Sequence, residues 1–196
     1  MVAAAASSSL QQFTSDAILV VLVIVNGALG WRTGTLRRIV SFAGLYAGVI
    51  SAYYTGNFFA GLIRTGDIFA NAWSFIAVTV VMVLLFEVIG RIFADRLQRL
   101  AALTFDRVAG TVIGGAAGFF QASVLFMVAL AVGAAPSTPT NRVPPLRDVP
   151  ANAVQAAPLS GHALRAQPVL HRIFTPAFSG DLTTHLEEGT QVTARS

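Results

Sequence analysis

No charged side chain occurs anywhere from residue 108 to residue 134, and this run constrains the chain more than any other feature. At about 1.5 Å of helical rise per residue it exceeds the ~30 Å hydrocarbon core of a bilayer, so it reads as a membrane-spanning helix with length left for tilt. Within it Gly110, Gly114 and Gly118 recur every fourth residue and share one face, bordered by Gly115, Ala117 and Gln121. In lipid no hydrophobic force drives helices together. Close approach over small residues, and a hydrogen bond from a group such as Gln121, must supply the attraction. The stripe is therefore read as a helix-packing surface and not as a ligand site.

Three more apolar runs precede it. The first, residues 17–31, is short against the roughly 20 residues a span requires, so its helix starts nearer Ser9 or sits thin in the bilayer. Asp16 and Ser15 are good N-caps for its outer end, and Asn26 is polar enough at its depth to seek a partner on another helix. The turn Gly30-Trp31-Arg32-Thr33-Gly34, followed by Arg37 and Arg38, leads into the second span, residues 39–63. That span carries Gly44, Gly48, Ala52 and Gly56 at four-residue spacing, which predicts that it packs closely against the other striped helix.

The third span, residues 73–94, holds Glu87, the acidic residue of an otherwise apolar run. Its position predicts the inner half of the bilayer, one turn from Arg91, with which it can pair at i,i+4. Two readings stand: a structural ion pair near the membrane edge, and a carboxylate in a proton or solute path. Phe93, Leu97, Leu100, Ala101 and Thr104 then fall on one helical side, predicting an amphipathic connection at the interface. Asp106 is placed to cap the fourth span.

Arginines gather in the first and third connections: Arg32, Arg37 and Arg38 in one, Arg91, Arg96, Arg99 and Arg107 in the other, against Arg64 in the second, with Arg142 and Arg147 on the tail. The positive-inside rule then puts both termini outside the cytoplasm. The first residues lack the positive start of a secretory signal, so no cleavage is expected.

Composition agrees with a membrane protein: 55% of residues are hydrophobic, 11% charged, and mean hydropathy is +0.68. The net charge of +4 comes from arginines scattered beside apolar runs, not from a basic stripe with interleaved aromatics, so nucleic acid is not an expected partner. The chain has no cysteine, and its three histidines match no ligand spacing, so neither metal nor other cofactor is expected. All eight prolines lie after residue 134, predicting a largely irregular tail with two short helices, at 167–174 and 181–188.

The expected fold is thus all-α: a four-helix membrane bundle, with an amphipathic inner connection and a Pro-rich tail. The boundaries read as 1–15 for an extracytoplasmic segment, 16–134 for the membrane unit and 135–196 for the tail. No nucleophile elbow, phosphate loop or other catalytic motif occurs, so no enzyme is expected.

The order of four features, Asp16, the Gly30-Trp31-Arg32-Thr33-Gly34 turn, Asp106-Arg107-Val108-Ala109-Gly110, and Gly114 with Gly118, resembles the colicin V production (CvpA) membrane proteins. The resemblance covers roughly residues 16–134, and the tail is similar only around 158–174. It implies a small multi-pass protein of the bacterial inner membrane, linked to toxin production or secretion and to envelope homeostasis, without an established biochemical activity. Some relatives continue into an extracytoplasmic serine protease. This chain is too short for that part, so protease function is not expected. The positions matching the family motifs, Asp16, Gly30, Arg32, Gly34, Asp106, Arg107 and Gly110, are expected to serve folding or partner contact. Expected partners are the lipid bilayer and either further copies of the chain or envelope and secretion proteins. Alternatives are a small-solute or ion channel using Glu87, with Asn26 or Asp16, and a membrane anchor for the tail.

Overall fold

The structure, a computed structural model, describes residues 2–63, 68–97, 103–134 and 148–174. Four long helices come first: α1 (Val2–Thr33), α2 (Thr35–Ile63), α3 (Ile68–Leu97) and α4 (Leu103–Ala134). Each contains a stretch long and apolar enough to cross a membrane, namely Ser9–Thr33, Thr35–Gly56, Ile68–Ile92 and Phe105–Ala134. Three short helices follow, α5 (Asp148–Ala156), α6 (Pro158–Ala163) and α7 (Gln167–Phe174), with a single 3-10 turn at Leu164–Ala166 before the last. Helix α7 stands where the sequence places it, while α5 and α6 occupy a stretch that reads as irregular.

Local chemistry explains the sharpest feature, the one-residue link between α1 and α2. Gly34 has φ of 78°, a left-handed conformation that glycine adopts without strain, and its N–H donates to the Gly30 carbonyl at 2.9 Å. The chain therefore leaves one helix and enters the next at once. At its other end α1 does not begin at Asp16: uncharged, small-residue sequence continues the helix back to Val2, so Asp16 lies inside it. Helix α3 runs on through Leu97, but the expected amphipathic face and the expected helix at 181–188 fall outside the described side chains and residues.

Packing departs from one expectation. The two glycine stripes do not face each other. Gly110, Gly114 and Gly118 of α4 lie against the backbone of α1, so that a Cβ on any of them would crowd the carbonyls of Gly30, Asn26 and Leu22 respectively. Gly44, Gly48 and Gly56 of α2 lie against Phe86, Thr79 and Phe75 of α3. The bundle is thus two tight antiparallel pairs, α1 with α4 and α2 with α3. Helices α2 and α4 join them through larger side chains, including an edge-to-face contact of Phe42 with Phe120 at 5.1 Å. Because both partners of each pair carry small residues or accept them, each stripe is satisfied inside the chain.

The main apolar cluster joins Leu45, Val49, Phe75, Val124 and Val128 across α2, α3 and α4. Its tail contribution is Phe174 of α7, which stacks on Tyr46 at 5.4 Å. A second cluster joins Leu19 of α1, Ala122 and Phe126 of α4 and Val154 of α5.

Candidate functional site: a polar chain across the four spans

All four spans contribute to a continuous polar path through the apolar bundle, α2 with two side chains and the others with one each. On α4, the Gln121 carbonyl oxygen accepts a hydrogen bond from the Asn26 side-chain amide of α1 at 2.9 Å, and that amide also reaches the Leu22 carbonyl. The Asn26 oxygen in turn accepts from the Arg38 guanidinium of α2 at 3.5 Å. Arg38 then donates from a single nitrogen, Nη2, to both carboxylate oxygens of Glu87 on α3, at 2.9 and 3.1 Å, a charge-assisted contact. Arg37 closes the path with a 2.6 Å ion pair to the same carboxylate.

Position within the elements explains the arrangement. Arg38, Ser41, Leu45, Val49 and Ala52 follow one another at three- and four-residue spacing and are all buried, so Arg38 belongs to the inward stripe of α2. Its side chain is only 1% exposed. A cation so placed must find a carboxylate, and Glu87 is the one α3 offers. The expected partner Arg91 is instead exposed, and Glu87 pairs with α2. Their place beside an apolar run presents Arg37 and Arg38 in the sequence as topology signals. The buried stripe that Arg38 shares with Leu45 and Val49 was the available clue.

The charges do not cancel. Two guanidiniums meet one carboxylate, and the Nε atoms of both arginines are buried without a hydrogen-bond partner among the described residues. Glu87 is thus a counter-ion held from two sides. At the far end, Gln121 lines a cleft of about 230 Å³ whose other walls are Leu22, Leu45, Thr79, Val83 and Leu84. The polar path thus runs from the start of α2 to the edge of an apolar space at mid-bundle.

The residues expected to serve folding or partner contact separate into three groups. Gly30, Gly34, Asp106 and Gly110 meet in one knot at the α1–α2 turn. There the Thr35 N–H donates to the Asp106 carboxylate at 2.9 Å, the Thr35 hydroxyl donates to the Asp106 carbonyl at 3.0 Å, and a Cβ on Gly34 would overlap that carboxylate. Asp106 caps α2 and not α4, because α4 starts earlier, at Leu103, and turns this carboxylate toward the neighbouring helix end. Arg32 and Arg107 remain exposed nearby. Asp16 stands apart. Instead of capping α1 it caps α6, its carboxylate accepting from the Leu159 N–H, the Ser160 N–H at 2.8 Å and the Ser160 hydroxyl at 2.9 Å. Among the described residues no three His, Asp or Glu side chains come together to hold a metal ion.

Four apolar helices in two glycine-tight pairs, stitched by one charged polar path, define a multi-pass helical membrane protein. Over residues 15–155 the chain matches the family model described as Colicin V production protein, and it belongs to that family. The match starts one residue before Asp16, includes the whole polar path and ends within α5, so it reaches beyond the four spans. Neither a curated protein nor a solved structure matches the chain.

Proposed function

We propose that the chain is a non-enzymatic accessory protein of the bacterial inner membrane that supports bacteriocin production or secretion and envelope maintenance. Both termini lie on the extracytoplasmic side in this reading, as the arginine distribution requires. Family membership is the observation that carries the proposal. The bundle interior supports it: its buried ionisable groups are committed to one another, which suits a scaffold that presents outer helix faces to partners. With both glycine stripes used inside the chain, partner contact falls to exposed faces such as that of Trp73, Val81 and Leu85 on α3. In-cell photocrosslinking from those positions is the test. Capture of a secretion or envelope protein supports the reading. Capture of lipid alone, in a strain whose toxin export and envelope integrity do not change on deletion of the protein, would refute it.

A second reading, conduction of an ion or small solute, is favoured by one observation: the path from Glu87 through Arg38 and Asn26 ends at Gln121 on the wall of the 230 Å³ cleft. The engagement of Glu87 by two guanidiniums weighs against it. Flux in liposomes that is lost in a folded Glu87→Gln variant would put conduction first, and silence from the inserted wild-type protein would remove autonomous conduction.

A further inference from the structure

The tail helices meet the bundle too deep for a cover lying on its end. Val154 of α5 packs with Leu19 and Ala122, which stand close to the middle of the membrane-crossing stretches Ser9–Thr33 and Phe105–Ala134. Phe174 of α7 stacks on Tyr46, roughly three turns into α2. Asp16, which binds the start of α6, is itself inside the first of those stretches. Helices α5 to α7 therefore reach into the depth of the bilayer.

Their uncovered side nevertheless carries charge. Asn152, Gln155, His162, Arg165 and Arg172 are exposed beside the apolar Leu159 and Val169, and no carboxylate of the described residues pairs with either arginine. Charged groups at that depth turn to a bundle interior or a water-filled cavity, and non-helical backbone there survives only where it is buried in protein or lines such a cavity. At the break between α5 and α6 the backbone is satisfied within the chain, the Ala157 N–H donating to the Ala153 carbonyl at 3.1 Å and its carbonyl accepting from the Gly161 N–H at 2.8 Å, so it is the charged side chains that call for water.

We propose that α5 to α7 form one wall of a water-filled vestibule sunk into the membrane, and that Arg165 and Arg172 make it attractive to small anions. Which side it opens to rests on the orientation given above. Its existence does not.

The chain has no cysteine, so single-cysteine variants of the full-length protein in right-side-out vesicles test each part separately. A double variant, Leu19→Cys with Val154→Cys, reports by disulfide formation whether α5 is seated against α1. Asn152→Cys and Gln155→Cys, both at exposed positions that do not disturb packing, report water through membrane-impermeant thiol reagents of opposite charge. The expected result is a crosslink at 19/154, labelling at 152 and 155 from outside, and about tenfold faster reaction with the anionic than with the cationic reagent, relative to a free thiol. That preference disappears in the Arg165→Gln, Arg172→Gln background. Absence of the crosslink, or failure to label even after permeabilisation, overturns the vestibule. Labelling only after permeabilisation supports the vestibule and overturns the orientation. Equal rates for the two reagents overturn the anion preference.

Discussion

At the scale of single residues, the glycines of α4 are not equivalent, although their spacing makes them look so. A Cβ on Gly114 would run into the Asn26 carbonyl, whereas one on Gly115 meets its nearest neighbour, Val23, at 3.9 Å, an ordinary contact. Gly114→Ala should therefore force α1 and α4 apart and lower stability by about 1–3 kcal/mol, while Gly115→Ala stays within about 1 kcal/mol of wild type. Unfolding of the two variants in mild detergent separates them, and equal losses would contradict the packing. The charged path has a similar asymmetry. Glu87→Met strands two cations, one of them fully buried, and should destabilise by about 3–5 kcal/mol. Arg38→Met leaves Glu87 paired with Arg37 at 2.6 Å and should cost clearly less. A double variant carrying both changes should be more stable than Glu87→Met alone, and a thermodynamic cycle over the four proteins measures this.

At the scale of elements, the four spans were legible because a bilayer imposes length and apolarity on every helix that crosses it. Partners were less so. A stripe such as Gly44-Gly48-Ala52-Gly56 states that something comes close but not which helix comes, and Phe86 and Thr79 of α3 carry no small-residue signature that would mark them as the receiving surface. Capping was misread for the same reason. Asp16 and Asp106 each look like the start of their own helix, yet each carboxylate serves the first turn of another element, α6 and α2, which no local spacing reveals. Glu87 stands out in the sequence as the acidic residue of an apolar run, but spacing along α3 points to Arg91, whereas its partners lie across on α2. The Asp16 cap leads to a prediction at this scale. Asp16→Ala removes three hydrogen bonds to α6 and should cost about 1 kcal/mol. Limited trypsin treatment should then cut faster at Arg165, with the four spans still protected. An unchanged rate would mean that packing alone holds the tail.

At the scale of the whole molecule, the tail and the bundle depend on each other in a way that the absence of a hydrophobic force in lipid makes unusual. Removing α5 to α7 exposes Leu19, Ala122 and Phe126 to acyl chains, which are as apolar as the helices they replace, so little is lost there beyond packing contacts. What truncation does lose is the set of donors around Asp16, and a carboxylate left without them in the outer half of a span is unfavourable, by less than the ~2.5–3.5 kcal/mol of the bilayer centre. A chain ending after residue 134 should therefore insert poorly and be degraded, while the same truncation carrying Asp16→Leu should recover much of its level. In the full-length chain the same substitution should work in the opposite direction, loosening the tail. Steady-state amounts of the four proteins in membranes decide the matter. If Asp16→Leu fails to rescue the truncated chain, the tail stabilises the bundle through its apolar contacts, and Asp16 is only the fastening that holds α6 in place.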